Sequence, residues 1–216
     1  VKEEQVLLTS GIDGGIKAIL ETVTEPGDRI ATLDPTYAMY AVYSRLFQLT
    51  LDLVGYRDDL TLDTEALARV IDESPAVLFL PNPNQPIESS MTCGELAVIA
   101  EKCLERGTLF VIDEAYHLFG AESGVELISR FPNVVVARTF SKGFGVPSIR
   151  LGYLLTSAAN LEVLSKTRFA HESNALSNAV AEYLLDNFSQ VEQYNAAVAS
   201  CRERLSEEPV SYTHLT

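Results

Sequence analysis

Residues 108–116 read TLFVIDEAY, a β-rich apolar run that ends in a polar turn at Asp113. Short apolar runs of this kind, bounded by turn residues, are typical of buried strands, so we expect a strand over residues 108–112. The segment before it, residues 92–106, has the periodicity of a helix and ends before Gly107. A helix that leads into a buried strand is the repeating unit of a parallel α/β sheet.

This alternation continues in both directions along the chain. The other predicted strands are residues 29–33, 49–54, 76–80, 134–139 and 151–155, and the other predicted helices are residues 11–25, 37–46, 63–71, 158–166 and 174–206. No helix fits between residues 139 and 151, so the last two strands should be antiparallel. The sequence therefore predicts an α/β fold, with a mostly parallel sheet flanked by helices and one antiparallel strand.

The length of 216 residues and the hydrophobic fraction of 47% suit one large domain and part of a second. We expect residues 1–173 to form the large domain, with its N-terminal part missing, because the sequence opens directly on an apolar run. Residues 174–209 should be helices that lead to a missing C-terminal domain. Residues 210–216 do not continue that helical pattern, so we expect a non-native tail there.

Charge and cysteine content argue against several classes of protein. The formal net charge is -14, which would repel a nucleic-acid backbone. The longest apolar runs fall far short of the ~20 residues that a membrane-spanning helix needs. Cys93, Cys103 and Cys201 have neither metal-ligand spacing nor a paired disulfide framework. We therefore expect a cytoplasmic protein with no metal site and no nucleic-acid or membrane partner.

Polar residues follow three of the predicted strands at the point where each strand ends. They are the segments 82–85, 113–116 and 141–142. Ligands of open α/β sheets bind at the carboxyl ends of the strands, so three loops should converge on one ligand. The helix that begins at Gly11 offers free backbone amides, and Arg150 offers a planar fork for phosphate oxygens. Together these features indicate a phosphorylated, nitrogen-containing cofactor.

Two sets of residues resemble one enzyme family. The segments SKGFG at residues 141–145 and RLGY at residues 150–153 resemble the lysine motif of the class I/II aminotransferases. The segments DPTY at residues 34–37 and DEAY at residues 113–116 are similar to the histidinol-phosphate aminotransferase branch of that family. The order and spacing of these segments agree with the family over most of the chain.

The resemblance implies the large domain of the aspartate-aminotransferase fold, called fold type I, with pyridoxal 5′-phosphate as cofactor. It also implies an enzyme that moves an amino group from an amino acid or amine donor to a 2-oxo acid acceptor, and that works as a homodimer. In such enzymes the groups that grip the substrate lie in segments absent here. We therefore expect the 216-residue fragment to be inactive by itself.

The resemblance assigns four side chains to the reacting end of the cofactor. Lys142 would hold the cofactor as a Schiff base and transfer protons during the reaction. Asp113 would pair with the pyridine nitrogen and keep it protonated. Tyr116 would hydrogen-bond the ring hydroxyl, and Tyr37 would stack on the ring face.

The resemblance places the cofactor's phosphate between the first helix and the loop that carries the lysine. The residues assigned to it are Gly11, Ile12, Asp13, Ser141 and Arg150, with Ile12 and Asp13 contributing backbone amides.

The chain departs from the family pattern at one cofactor contact. Where the family has Asn-Pro-Thr-Gly, this chain has QPIE at residues 85–88. The amide that should touch the ring hydroxyl is therefore on a longer side chain, and either Gln85 or Asn84 would make the contact. The same departure casts doubt on histidinol phosphate as the substrate.

Two other functions remain open on the same residues. A decarboxylase similar to the threonine-phosphate decarboxylases would use the same cofactor contacts, because those contacts do not decide which bond breaks. A transcription regulator could use an aminotransferase-like domain as a sensor fused to a DNA-binding module. Release of carbon dioxide without an amino acceptor would identify the first, and a basic helix-turn-helix upstream would identify the second.

Overall fold

The computed structural model describes residues 1–167 and 173–207, which form a seven-stranded sheet covered by helices. The strands are β1 (Val6–Thr9), β2 (Arg29–Leu33), β3 (Thr50–Val54), β4 (Val77–Pro81), β5 (Leu109–Asp113), β6 (Val134–Thr139) and β7 (Gly152–Leu155). Their order across the sheet is β1-β7-β6-β5-β4-β2-β3. Strand β7 runs antiparallel to both of its neighbours, and the other pairs are parallel. The predicted fold class and its antiparallel strand are confirmed.

The α-helices of the described residues are α1 (Gly11–Val23), α2 (Met39–Leu46), α3 (Thr64–Asp72), α4 (Cys93–Glu105), α5 (Ala158–Leu164), α6 (Ala175–Asp186) and α7 (Phe188–Glu207). Several begin at a side chain that caps the first turn. Asp63 accepts a hydrogen bond from the Ala66 amide, and Thr92 forms a reciprocal capping box with Glu95. None of the helices in the described ranges is long and apolar enough to cross a membrane.

The stretch predicted to be helical over residues 174–206 consists of two helices, α6 and α7, that meet at Asn187. The Asn187 backbone leaves the helical conformation, and its side-chain amide donates to the Tyr183 carbonyl at 2.8 Å. Asparagine competes with a helix in this way because its short side chain can bond nearby backbone groups. The expected tail at residues 210–216 lies outside the described residues.

Strand β1 was not predicted from the sequence. It has four residues, and it lies at the edge of the sheet, where Val6 and Leu8 remain partly exposed. Val6 pairs with Leu155 of β7, almost the whole length of the domain away in sequence. A short edge strand of this kind depends on a distant partner, so local periodicity does not reveal it.

Alternating side chains along the central strands build an apolar core on each face of the sheet. In β5, Phe110 and Ile112 pack on the side of α3 and α4, whereas Val111 packs on the side of α1 and α2. A third apolar cluster joins α6 and α7 to the β6–β7 loop; its buried members are Phe140, Phe144, Leu151, Ala181 and Val191. Because both faces are covered, the polar loops gather at the carboxyl edge of the sheet.

Candidate functional site

Four loops and the start of one helix meet at the carboxyl edge of the sheet, around a cavity of about 450 Å³. The loops follow β2, β4, β5 and β6, and the helix is α1. The site residues expected from the sequence that line this cavity are Ile12, Asp13, Tyr37, Gln85, Asp113, Tyr116, Ser141, Lys142 and Arg150. Gly11, which was also expected, lies against the Arg150 guanidinium. Residues far apart in sequence are thus brought to one place.

Asp113 is the last residue of β5, and its carboxylate is almost fully buried. The Tyr40 hydroxyl donates to Oδ2 at 2.5 Å, and the Ala115 amide donates to Oδ1 at 3.0 Å. Burial raises the pKa of Asp113 to about 6, and these two hydrogen bonds oppose the rise because they stabilise the charged form. Asp113 is therefore mostly ionised at neutral pH, in a site largely closed to water.

Tyr40 was not among the residues expected from the sequence. It is fully buried in α2, and its ring stacks on Phe79 with centroids 5.0 Å apart. Burial and the neighbouring Asp113 raise its pKa well above the usual value, so its hydroxyl stays protonated and can donate. The signal in the sequence was its spacing from Tyr37, because residues three apart on a helix share a face.

Tyr37 lies at the mouth of the cavity and is 43% exposed. Its hydroxyl donates to Asp13 Oδ1 at 2.9 Å, and its ring is perpendicular to that of Tyr40. Burial and the Asp13 carboxylate raise the pKa of Tyr37, which keeps this hydroxyl protonated. Tyr37 thus presents an aromatic surface whose orientation is set at both ends.

Lys142 projects from the β6–β7 loop, and its Nζ lies 5.2 Å from the centroid of the Tyr116 ring. An ammonium at this distance is attracted to the face of an aromatic ring. Gly143 allows the two loops to approach, since a Cβ at this position would lie 2.6 Å from Leu118 Cβ. Because Gly143 has no side chain, the loop packs closely on Leu118, and this close packing brings Lys142 near Tyr116.

The opposite end of the cavity is suited to an anion. Helix α1 begins there, and the Ser10 side chain does not cap its first amides, so they are free to bind an anion. Arg150 adopts a left-handed backbone conformation (φ 50°), and its Nη2 lies 3.2 Å from Asp13 Oδ2. Gly11 has φ +66°, and a Cβ there would lie 3.0 Å from Arg150 Nη2. A side chain at position 11 would thus crowd the guanidinium.

Ser141 is held at this end by Thr139, a second residue that the sequence analysis missed. The Thr139 hydroxyl donates to Ser141 Oγ at 3.0 Å and accepts from the Ser141 amide at 3.1 Å. Because Thr139 closes β6, its position follows from the strand itself.

The choice between Asn84 and Gln85 for the amide contact depends on which amide is available. The Asn84 amide nitrogen donates to the Pro35 carbonyl at 2.9 Å and to the Tyr56 hydroxyl at 2.6 Å, and its oxygen accepts from Thr36 at 2.7 Å. Asn84 therefore ties two loops together. Within the described residues the Gln85 amide forms no hydrogen bond, and its side chain lines the cavity.

Glu114 follows Asp113 but does not line the cavity. Its buried carboxylate accepts hydrogen bonds from Ser123 and from the Gly124 amide, and it pairs with Arg138 at 2.8 Å. This network ties residues 114–124 to β6. His117 Nδ1 donates to the Glu114 carbonyl at 2.9 Å, and burial lowers the pKa of His117 to about 4, so its ring is neutral at pH 7.

Comparisons with known proteins indicate the same enzyme family as the sequence motifs. The model of the family described as aminotransferase class I and II matches residues 1–211. The chain is 36% identical over 205 residues to histidinol-phosphate aminotransferase 1 of Burkholderia lata, covering 94% of this chain and 57% of the relative. It is 28% identical over 214 residues to histidinol-phosphate aminotransferase of Pyrococcus furiosus, covering 99% and 61%.

A solved structure shares the fold. It is the crystal structure of histidinol-phosphate aminotransferase from Sinorhizobium meliloti in complex with pyridoxal-5'-phosphate. The TM-score is 0.87 at 27% sequence identity, and the match covers 94% of this chain and 56% of that one. The chain thus spans about three fifths of the length of these similar proteins.

Proposed function

This chain belongs to the family of class I and II aminotransferases, and we propose from this premise that the complete protein is an aminotransferase that uses pyridoxal 5′-phosphate. It would move an amino group between an amino acid or amine and a 2-oxo acid, in the manner of a histidinol-phosphate aminotransferase. One observation carries the proposal: a buried carboxylate, a lysine amine and an uncapped helix start beside Arg150 all line one cavity.

The residues present fit this cofactor. The cavity of about 450 Å³ lies within the range of small-molecule sites, ~300 to 1,000 Å³. The anion end is shaped for an oxyanion, because Gly11 leaves the space beside Arg150 open. At the other end Asp113 offers a buried negative charge, which suits a protonated ring nitrogen. Lys142 and Tyr116 lie together between these ends.

The cofactor, when bound, supplies an electron sink for the charge that develops on the substrate carbon. Asp113 would contribute a carboxylate that remains charged at neutral pH, with Tyr40 fixing its orientation. Lys142 would attach the cofactor, and its amine would then carry the proton to and from the substrate carbon as general acid and base. Tyr37 would cover one face of the ring and exclude water from it.

At the phosphate end, Arg150, the Ser141 hydroxyl and the amides of Ile12 and Asp13 would bind the oxygens. The Asp13 carboxylate also approaches Arg150, and it holds both the guanidinium and the Tyr37 hydroxyl. Asp13 thus orients two groups that face the ligand. Gln85 would donate its amide to the ring hydroxyl, since the Asn84 amide is engaged elsewhere.

The proposal includes small-molecule donors and acceptors as partners, a homodimer and a cytoplasmic location. Val42 and Leu46 of α2 are exposed, and a second copy would cover them. Cys93, Cys103 and Cys201 are free thiols, as is usual in a reducing compartment. We also propose the domain division expected from the sequence, with α6 and α7 leading out of the large domain.

The test is to reduce the complete natural protein with borohydride after loading with pyridoxal phosphate, and to map the modified residue by mass spectrometry. We expect one modified site, Lys142, and none in Lys142→Ala. Lys166→Ala serves as the matched control and should label normally, because Lys166 does not line the cavity and its neighbour Thr167 contacts Thr22 near the end of α1. An adduct that persists at one defined site in Lys142→Ala would contradict the proposal.

The reaction itself is tested on the same preparation. Amino transfer that requires an oxo-acid acceptor supports the proposal. Carbon dioxide release without an acceptor would instead identify a decarboxylase, and cofactor binding without turnover of any amine would favour a sensor domain.

A further inference from the structure

One loop, residues 140–151, carries both Lys142 and Arg150. It joins β6 to β7 and has little regular structure, with only a short 3₁₀ turn at Pro147–Ile149. Five backbone hydrogen bonds join residues within it, for example from the Gly145 amide to the Lys142 carbonyl at 2.8 Å, but none of the five ends on the carbonyl of Gly143 or Ile149. Reactive groups must be held to within roughly half an ångström, so a loop of this kind needs support from its neighbours.

Helices α6 and α7 supply that support from the outer side of the loop. Phe144 of the loop is buried, and its ring lies 6.0 Å from that of Phe188 at the start of α7. Val191 is buried in the same cluster, and Tyr194 packs on Gly145. This apolar contact sets the distance between loop and helices, but apolar contacts do not hold a particular backbone group of the loop.

Asn195 of α7 fixes the loop next to the lysine. Its amide nitrogen donates to the Gly143 carbonyl at 2.8 Å and to the Val191 carbonyl of its own helix at 2.7 Å. The second bond fixes the amide on the helix, so the first one holds the loop in a defined place. On its other side Gly143 packs against Leu118, and the peptide after Lys142 is therefore clamped between two elements.

Ser177 of α6 makes the corresponding contact at the other end. Its hydroxyl donates to the Ile149 carbonyl at 2.7 Å, and the residue is 3% exposed. The next residue, Arg150, has the left-handed backbone that non-glycine residues rarely adopt, so its conformation needs an outside constraint. Each hydrogen bond thus ends on a carbonyl one residue away from a proposed cofactor-binding side chain.

We propose that Asn195 and Ser177 are positioning residues, Asn195 for the Lys142 amine and Ser177 for the Arg150 guanidinium. Neither residue lines the cavity of about 450 Å³, so each acts through the loop backbone. Helices α6 and α7 therefore set the reach of both groups, and the two ends of the loop can be perturbed separately. This inference rests on the proposed function of Lys142 and Arg150.

The experiment compares two ligands, pyridoxal phosphate and pyridoxal, on the cofactor-free complete protein. Asn195→Ala should slow attachment to Lys142 for both ligands by about the same factor, since both carry the same aldehyde. Ser177→Ala should weaken the binding of pyridoxal phosphate and leave pyridoxal unchanged, because only the former has a phosphate for Arg150. Loss of one such hydrogen bond corresponds to a change of roughly 3- to 10-fold.

Asn187→Ala is the matched control. It removes an asparagine amide bond of equal length, 2.8 Å to the Tyr183 carbonyl, from the junction of the same two helices without touching the loop. It should lower thermal stability, as Asn195→Ala does, and leave attachment unchanged. If Asn195→Ala does not fold, Asn195→Asp replaces it, since aspartate has the same size but cannot donate to the Gly143 carbonyl.

Attachment in the Asn195 variant as fast as in Asn187→Ala would overturn the role of Asn195. Equal losses for both ligands in Ser177→Ala would overturn the role of Ser177. If the unmodified protein attaches neither ligand at Lys142, the proposed function fails and this inference fails with it. If the unmodified protein attaches both ligands at Lys142 and the variants behave as it does, the proposed function stands and the positioning role is wrong.

Discussion

The hydrogen bond from Tyr40 to Asp113 offers a sharp test of how the site keeps a buried carboxylate charged. Tyr40→Phe removes only the hydroxyl and preserves the ring that stacks on Phe79. Asp113 then retains the Ala115 amide as its donor among the described residues. The lost hydrogen bond stabilises the charged form of the carboxylate more than its neutral form, so the pKa of Asp113 must rise.

The size of the effect follows from the geometry. A hydrogen bond to a charged group contributes about 1.5–3 kcal/mol. Since one pKa unit corresponds to about 1.4 kcal/mol, the pKa of Asp113 should rise by about 1–2 units. It would move from about 6 to roughly 7–8. At pH 7 the ionised fraction of the carboxylate would then fall from about 90% to between roughly 50% and 10%.

The assay is the dissociation constant of pyridoxal phosphate, measured between pH 5 and pH 9 by absorbance. Affinity should fall as pH drops through the pKa of Asp113, because a protonated carboxyl no longer attracts a protonated ring nitrogen. We expect this fall near pH 6 in the unmodified protein and at roughly pH 7–8 in Tyr40→Phe. Tyr43→Phe, on the same helix, is the control, since its hydroxyl bonds no described residue. Equal midpoints in all three proteins would refute the reasoning.

Three further results are expected. Asp113→Asn should retain pyridoxal phosphate but lose most turnover, because an amide does not stabilise a positive ring nitrogen; a near-normal rate would make Asp113 structural. Gly152→Ala places a Cβ 2.7 Å from the Gly11 carbonyl carbon, so urea unfolding should show a loss of about 1–3 kcal/mol together with weaker phosphate binding. Residues 1–209 expressed alone should be inactive beside the complete protein, since substrate orientation accounts for up to ~7–11 kcal/mol of a barrier; equal turnover would contradict this.

The fold could be predicted because its main signals are local. Buried strands such as β4 and β5 are short apolar runs. Pro26 follows the end of α1, and Gly107 follows the end of α4. These features need no distant partner. Strand β1 and the position of the break at Asn187 were not predicted, because each depends on a contact or a backbone conformation that several sequence patterns allow.

The residues of the site likewise fall into those that the sequence could predict and those that it could not. Residues that bear chemistry stand at strand ends, and their positions in the sequence already indicated that they would meet. The residues that hold them in place could not be recognised from the sequence, because their partners are far away in it. Tyr40 and Asp113 are 73 residues apart, and Asn195 and Gly143 are 52 residues apart. A tyrosine or asparagine on a helix has many possible partners, and only the packed structure selects one.

Asp113 and Glu114, the two adjacent acids at the end of β5, show that strand geometry can determine which residue is available to a ligand. Successive residues of a strand face opposite sides, so Asp113 shares a side with Val111 and Tyr40, and Glu114 faces the other way. A carboxylate has about four acceptor sites. Glu114 fills its sites with Arg138, Ser123 and the Gly124 amide, whereas among residues 1–167 and 173–207 Asp113 accepts only from Tyr40 and the Ala115 amide. Asp113 therefore retains acceptor capacity toward the cavity, and the alternation of the strand decides which of the two acids is available to a ligand.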